Sequence, residues 1–472
     1  MKLQAKIPDY VQKTAQMLVD EGYELYLVGG AVKDIVLGNT PHDYDLATDA
    51  LPDEMINIFP KSVAVGAQFG TILSLTPDSK GEIHEVEVTT FRSEEEYIDG
   101  RWPSSVEFVV EIDKDLGRRD FTFNAMAIDL SNLNLSGDVE EQTVDIYDPF
   151  NGLTDLNMKL VRAVGTPIER FKEDGLRAMR ACRLASQLDF DIEQETFGAI
   201  KKSLPVVEMV SKERIRDEFM KLLLTSPKPS KGINLLKDTG ILSLFLPELV
   251  DTIGVEQKLF HKYDVYEHSL RTCDIAEDSV KLVALLHDIG KVETDTKDGH
   301  FYGHDTLGAN MVEKIMQRLK FSNESIEKAK KLVQNHMFYY PHITEEMDDN
   351  KREEIKLNEW SDAAVRRFLR RVGEENIEDL FKLRLADAMS NPASEYNPQE
   401  IADLQAHISR VLQQDMALKV SDLKITGDDL AQIGVPRGPE MGEILNKLLD
   451  LVIEDPLKNE RHILLEEVRK ML

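Results

Sequence analysis

Residues 27–48, LVGGAVKDIVLGNTPHDYDLAT, decide how the rest of the chain is read. Tyr26, Leu27 and Val28 make an apolar strand, Gly29 and Gly30 a tight turn, the following residues a short amphipathic helix, and the chain re-emerges at Asp43 and Asp45. Side chains alternate along a strand, so an Asp-x-Asp puts both carboxylates on one face. Such a pair can share two divalent cations, which activate an attacking hydroxyl and neutralise charge on a phosphoryl group in transfer. The glycines suit the same task, because bare backbone N–H groups leading into a helix can approach a triphosphate. Apart, the glycines would be a turn and the aspartates a solvated loop. In this order, within one strand-helix-strand unit, they outline a nucleotidyl-transfer site.

The stretch resembles the head of class II tRNA nucleotidyltransferases and bacterial poly(A) polymerases, whose pattern is Gly-Gly, Arg-Asp, Leu-Gly and then Asp-x-Asp. Gly29, Gly30, Asp34, Leu37, Gly38, Asp43 and Asp45 match it. Lys33 stands at the usual arginine, keeping a positive charge near the phosphates but losing the planar two-pronged donor. The resemblance implies that Asp43 and Asp45 are catalytic ligands of Mg²⁺, with Glu87 in VEVTTFR at the position of a third carboxylate.

Outward from this stretch, the first segment, residues 1–165, reads as mixed α/β. MKLQAKIPDYVQKTAQML is an amphipathic helical pattern, with the helix over 8–21; TILSLT and HEVEVTTFR alternate as strands; RRDFTFNAMAIDL begins a helix or strand with a basic entry. In that last block Arg118, Arg119, Asp120 and Asn124 suit charge-assisted bonds to triphosphate and sugar, the ribose and phosphate role that the resemblance gives them. Glu94 to Phe108, EEEYIDGRWPSSVEF, reads as a polar, turn-rich mobile loop. In the family, enzymes that add the terminal adenosine keep this loop, and here Ser104 replaces a common acidic residue. DPFNGLTDL, Asp148 to Leu156, reads as a turn and linker, the family's hinge between head and neck.

From Pro167 the pattern turns helical and stays so. In ERFKEDGLRAMRACRLASQLDF, Arg170, Glu173, Asp174, Arg177 and Arg180 recur at spacings of three and four, which by itself describes a salt-bridged surface helix. A carboxylate beside a guanidinium also presents an acceptor next to a donor. Cytosine and adenine carry an exocyclic amine next to a ring nitrogen acceptor, while uracil and guanine present the reverse order. An Asp174–Arg177 pair would therefore accept C and A without a template, a chemical reason for the family's Glu-Asp-x-x-Arg motif. Gly175, at the usual proline position, should cost little at a helix start. KERIRDEFMKLL, residues 212–223, reads as a basic amphipathic helix that in the family braces the nucleotide-binding helix.

Beyond residue 250 a different constellation appears: His268, the adjacent His287 and Asp288 in VALLHDIGK, His304, His336, and Asp387 in RLADAMS. Burying a His-Asp pair without partners is costly, and metal ligation relieves the cost. The set resembles the HD phosphohydrolase family, which implies that His268, His287, Asp288 and Asp387 hold a divalent metal of unknown identity, with His304 and His336 supporting a second site or a phosphate. The last stretch is helical with a Gly-Val-Pro-Arg-Gly-Pro break and resembles the tail of HD-containing tRNA nucleotidyltransferases, expected by analogy to contact the tRNA arm.

Length and charge bound these readings. The 472 residues suggest about three or four domains, divided here as 1–165 head, 166–250 neck, 251–390 HD-type module and 391–472 tail. The class is α+β: a mixed sheet with helices, then an all-α remainder. A net charge of −29 opposes general nucleic-acid binding, but between Leu160 and Lys231 there are 14 Lys plus Arg against 11 Asp plus Glu. If RNA binds, this is where it should bind. Cys182 and Cys273 suggest neither a disulfide framework nor a zinc knuckle, and no stretch is long and apolar enough to span a bilayer, so a soluble cytoplasmic protein is expected. The resemblance implies completion of the 3′-terminal CCA of tRNA from CTP and ATP, with tRNA as partner and no membrane or DNA. The alternatives are an A-adding specialist, a poly(A) polymerase, or mainly an HD phosphohydrolase with an RNA-binding head.

Overall fold

Alternation in the sequence becomes strand pairing in the structure. The computed structural model describes residues 2–94, 97–98, 102–103, 106–131, 133, 141–257, 262–296, 300–340, 360–391, 398–413 and 417–472. The chain divides into two units, Met1–Pro247 and Glu248–Leu472. In the first, the strands are β1 (Lys2–Lys6), β2 (Leu25–Val28), β3 (Asp45–Thr48), β4 (Ser62–Gly66), β5 (Thr71–Pro77), β6 (Ile83–Thr90), β7 (Arg92–Glu94), β8 (Tyr97–Ile98), β9 (Trp102–Pro103), β10 (Val106–Phe108), β11 (Ala127–Asp129) and β12 (Glu141–Tyr147). Eight of them form one sheet in the order β1-β12-β11-β2-β3-β6-β5-β4. Within it β3 and β6 run parallel, with Leu46 opposite Val88 and Ala47 opposite Thr89, whereas β2 and β3 are antiparallel, with Val28 opposite Asp45.

The core beneath the centre of the sheet joins Val28 and Ala47 to Phe91, Leu116, Ala125 and Val164. Phe91 and Leu116 are wholly buried, each such side chain stabilising the fold by about 1.5–3 kcal/mol. Helix α1 (Asp9–Asp20) packs on the sheet and bonds Thr14 Oγ1 to Thr76 Oγ1 at 2.7 Å. Helices α2 (Gly30–Val36), α3 (Pro52–Ile58) and α4 (Ile112–Gly117) follow β2, β3 and β10.

Four local expectations are corrected. The N-terminal residues are not helical throughout: β1 pairs with β12, and the helix starts only after Pro8, which caps it with φ −56° and ψ 148°. The described parts of Glu94–Phe108 are paired strands, β7 with β10 and β8 with β9; Ser104 lies outside the described residues. The Asp148–Leu156 run, read as a turn and linker, begins with a turn but is not a linker throughout. It enters α5 (Gly152–Met158), capped by Asp148, whose two carboxylate oxygens accept from the Gly152 and Leu153 amides at 2.7 and 2.9 Å. Asp155 on that helix accepts from Thr122 Oγ1 at 2.7 Å and from Arg162 Nε at 3.1 Å. Finally, helicity after Pro167 is interrupted where β14 (Asp191–Ile192) pairs in parallel with β13 (Leu160–Val161).

The helices that complete this unit's site are α6 (Pro167–Glu173), α7 (Leu176–Leu188), α8 (Gln194–Lys202), α9 (Leu204–Glu208) and α10 (Lys212–Thr225). Helices α7 and α10 are joined by a buried pair, Arg183 with Glu218. In the Glu248–Leu472 unit, helices 265–275, 281–286, 304–318, 323–335 and 377–390 surround a polar cluster. Helices 439–454 and 461–471 bury a separate apolar core around Leu448, Val452, Leu464 and Val468. Buried Arg366 donates from Nε to the Ile453 carbonyl at 2.7 Å, near the end of helix 439–454. No described helix is long and apolar enough to cross a membrane.

Helix α5 leaves no room at its first residue. A Cβ at Gly152 would lie 2.4 Å from the Thr122 carbonyl oxygen and 2.9 Å from Met126 Cγ. Gly152→Ala should therefore destabilise the protein by about 1–3 kcal/mol, read as a lower urea midpoint; an unchanged midpoint would contradict this packing.

Candidate active site

The turn between β2 and α2 is shaped by what faces it. Gly29 has φ +73°, and a Cβ there would lie 3.1 Å from Arg119 Nη1 and 3.8 Å from Asp45 Oδ2. Backbone and space both call for glycine. Asp45 opens β3 opposite Val28, and Asp43 stands two residues earlier, just outside the strand; both are exposed. The parallel register that matches Leu46 with Val88 carries Glu87 to the place beside Asp45.

Electrostatics tie these groups together. Partial burial raises the Asp45 carboxyl above its ordinary value; Arg119 pulls it down and Asp43 adds to the rise. Glu87 is likewise raised, first by burial and then by the charge of Asp45, with Arg92 opposing. Burial and mutual repulsion make Asp45 and Glu87 costlier to ionise, a cost that a divalent cation relieves.

The arginine block is held from behind by a residue that sequence reasoning missed. Buried Asp115 on α4 accepts at Oδ1 from Arg118 Nε and Nη2, at 3.0 and 2.7 Å, and at Oδ2 from Arg119 Nη2 at 3.1 Å. Burial would raise its carboxyl, but Arg118 and Arg119 outweigh that and hold it below the usual range. The signal was present: Asp115 stands three and four residues before those arginines, one helical turn away. Asp120, also buried, accepts from Asn124 Nδ2 at 3.0 Å and from Arg180 Nε at 2.8 Å. Burial opposes its ionisation, yet Arg180 keeps it below the usual range.

Arg118, Arg119, Asp120, Asn124 and Arg180, with Gly29 and Asp45 but not Asp115, line a cavity of about 520 Å³ together with Gly30, Lys33, Asp174, Arg177, Arg183, Gln187 and Arg214. Lys33 reaches it while donating to Asp34 at 2.6 Å. Asp43, Glu87 and Glu173 are not among its lining residues. Nor does the structure form the Asp174–Arg177 pair. Asp174 ends α6 in an extended conformation, φ −145° and ψ 110°, which turns its carboxylate toward α10. There Oδ2 accepts from Arg214 Nη2 at 2.6 Å, while Oδ1 accepts from the Leu176 amide at 3.0 Å. Arg177 instead donates to Glu173 and to the Arg118 carbonyl, the latter at 3.0 Å; Arg170 shares Glu173. Gly175, between α6 and α7, is also less permissive than expected, since a Cβ would lie 2.6 Å from the Val206 carbonyl oxygen.

In the Glu248–Leu472 unit the structure brings together all six predicted ligands. His268, His287, Asp288 and His336 are each 1% exposed, His304 8%, and Asp387 is slightly more open. His268 Nε2 lies 3.0 Å from Asp387 Oδ1, and His287 Nε2 3.3 Å from Asp288 Oδ2. Burial opposes protonation of His287, but Asp288 outweighs it and lifts the imidazole to about 10.

A family model for the poly(A) polymerase head domain matches residues 25–162, one for an RNA-binding site of that polymerase residues 189–252, and one for tRNA nucleotidyltransferase domain 2 residues 305–468. His268, His287, Asp288 and His304 fall outside these three ranges. The CCA-adding enzyme of Lactococcus lactis subsp. lactis is 33% identical over 478 residues, covering 100% of each chain. That of Streptococcus mutans is 32% identical, covering 95% of this chain and 94% of its own. Among solved structures, the Bacillus stearothermophilus CCA-adding enzyme in complex with CTP aligns with a TM-score of 0.67 at 27% identity, covering 98% of both chains. The Thermotoga maritima CCA-adding enzyme complexed with tRNA shares the fold, with a TM-score of 0.53 at 18% identity over 100% of both chains. With relatives aligned from end to end, this chain belongs to the CCA-adding enzyme family.

Proposed function

We propose that this chain completes the 3′-terminal CCA of tRNA without a template, joining CMP and AMP units from CTP and ATP and releasing pyrophosphate. The observation that carries this reading is the adjacency of Asp45 and Glu87 across the parallel β3–β6 pair, with Asp43 at the strand entry and the arginine-lined cavity beside them. The relatives named CCA-adding enzymes support it over adenosine-only or poly(A) addition. Asp43, Asp45 and Glu87 would hold Mg²⁺, which when bound favours the ionised tRNA 3′-hydroxyl and spreads charge at the α-phosphate under in-line attack. Arg118 and Arg119, oriented by Asp115, bind the triphosphate, and Asp120 with Asn124 positions the ribose. Asp174 accepts from the exocyclic amine of C or A. Arg177, one turn along the chain, supplies the neighbouring donor on release from Glu173, while Arg214 holds Asp174 in place.

We assign addition to residues 1–165, nucleotide selection to 166–250, a metal module to 251–390 and tRNA contact to the tail at 391–472. We assign the work to the cytoplasm, with which the free buried thiols of Cys182 and Cys273 accord. One observation favours a second, additional activity. The buried His and Asp cluster has the donor set of a divalent-metal phosphohydrolase, and His287 Nε2, His304 Nε2, His336 Nε2 and Asp288 Oδ1 are buried without hydrogen-bond partners.

Three measurements test the main reading. Given tRNA ending in the discriminator base, in C or in CC, with each labelled nucleotide, the protein should add only the residues that complete CCA, and Asp43→Ala with Asp45→Ala should give none. Incorporation by that folded variant at the wild-type rate would end the proposal. Asp174→Ala and Arg214→Gln should each admit UTP or GTP; selectivity unchanged in both would remove the base-reading role. Asp115→Asn should raise KM for CTP and ATP alike by about ten- to a hundredfold, the loss of a charged hydrogen-bond partner, with the choice of base unaltered. A KM that stayed put would show that the arginines orient themselves.

A further inference from the structure

The hairpin between β5 and β6 carries a cluster that nucleotidyl transfer does not use. Gly81 makes its turn at φ +88°, the Asp78 amide donates to the Glu82 carbonyl at 2.8 Å, and Thr76 pairs with His84 on the strands beyond. Asp78 Oδ1 accepts from the Lys80 and Glu82 amides at 2.8 and 2.9 Å. These two bonds fix the carboxylate and leave its Oδ2 facing His84 Nε2 at 3.5 Å. That Nε2 is buried and has no hydrogen-bond partner. The ligand atoms that Asp78, Glu82 and His84 offer all lie within 4.8 Å of one another.

We infer that Asp78, Glu82 and His84 form a site for a divalent cation of the Zn²⁺ kind, held by one imidazole nitrogen and two carboxylate oxygens. The site is separate from the carboxylates of nucleotidyl transfer and from the His and Asp cluster of the Glu248–Leu472 unit.

The plainer account is an ion pair between a protonated His84 and Asp78. Such a pair closes to ~2.7–2.9 Å with its N–H directed at the oxygen, whereas these atoms stand 3.5 Å apart and make no hydrogen bond. The spacing suits a shared ion better, since two ligands ~2.1 Å from a tetrahedral cation lie about 3.4 Å from each other. An imidazole with two carboxylates, and one position left to water, is a donor set for Zn²⁺; Mg²⁺ prefers oxygen ligands in an octahedron. The direction of the nitrogen is set in advance. His84 stacks on Tyr10, with ring centroids 4.1 Å apart and planes 8° from parallel, so the imidazole cannot swing away without losing that contact. Tyr10 in turn meets Tyr44 edge-on at 6.4 Å, and Tyr44 is the buried residue between Asp43 and Asp45. An ion on His84 therefore braces the aromatic packing behind the catalytic pair.

The test counts zinc by difference. The full chain, stripped with chelator, is dialysed against Zn²⁺ with excess Mg²⁺ present to occupy oxygen-only sites, beside chains carrying Glu82→Gln or His84→Gln. Each variant should bind one equivalent of Zn²⁺ fewer than the parent, or hold that equivalent at least tenfold more weakly. Asp43→Ala with Asp45→Ala should leave it in place. Zn²⁺ should also slow amide hydrogen exchange over residues 76–86 in the parent and not in Glu82→Gln. Glu82 is exposed, so its substitution leaves the fold intact and carries the decision: a Zn²⁺ count and affinity equal to the parent's in Glu82→Gln would overturn the site, whatever His84→Gln does. Exchange over 76–86 that ignores Zn²⁺ in the parent would overturn it as well. The His and Asp cluster of the second unit is unaltered in every chain, so its own metal cancels in the difference.

Discussion

The eight-stranded sheet of the first unit depends on its one parallel pairing among the described residues, β3 with β6. Every neighbouring pair in its sheet is antiparallel, and antiparallel neighbours are easily joined by short turns. A parallel pair needs a crossover, here built from α3, β4 and β5. That detour returns the chain so that Glu87, forty-two positions beyond Asp45, arrives at its side. A slip of one residue would move Glu87 to the opposite face. Buried Val86 and Val88, alternating with exposed Glu87, prevent that slip, because the same shift would expose both valines. The hydrophobic core thus fixes the register, and the register fixes the geometry of the carboxylates.

A second constraint follows from gathering arginines round a cavity for a polyanion. Without the nucleotide, Arg118, Arg119, Arg177, Arg180 and Arg214 would repel one another, and each has a carboxylate partner instead: Asp115 for the first two, then Glu173, Asp120 and Asp174. Three of these arginines stand on α7 or α10, whereas Asp115 and Asp120 lie in the head segment, so the ion pairs also tie α7 to the turn after α4. Partly buried pairs of this kind add little net stability but fix orientation, since removing one member strands the other. The Arg177–Glu173 contact turns aside the guanidinium proposed to read the base.

How much of this was legible depends on the range of the interaction. Gly29, Gly30, Asp43 and Asp45 could be read because all four belong to one local strand-turn-helix-strand unit, and the helices from Pro167 because charged and apolar residues recur at helical spacing. The α+β class followed from the same periodicities. What escaped is non-local. Nothing near Asp174 announces Arg214, forty residues on, and the expected Asp174–Arg177 pair assumed a continuous helix that the kink at Asp174 breaks. Gly175 looked undemanding because the Val206 carbonyl that crowds it belongs to α9. Residues 2–6 looked like the start of a helix because the partner that makes them a strand, β12, lies nearly 140 residues away. Asp115 is the exception. Its spacing to Arg118 and Arg119 was local, and only attention to the arginines alone concealed it.

The two polar centres solve the problem of charge in opposite ways, and the contrast bears on what each can do. In the head, three carboxylates are left open to water beside an arginine-lined cavity, so cations can come and go with each triphosphate that bridges them. In the second unit, four imidazoles and Asp288 are withdrawn from solvent, with backbone carbonyls fixing the orientation of three of the rings. Were this cluster to hold the divalent cation proposed for it, it would hold it firmly, because softer nitrogen donors are already oriented and little reorganisation is needed. A centre that must accept a new nucleotide and a longer RNA end at each cycle needs the first design. A resident metal, as proposed for the second unit, would need the second. On the proposed reading, one chain would then combine exchange in one place with permanence in the other.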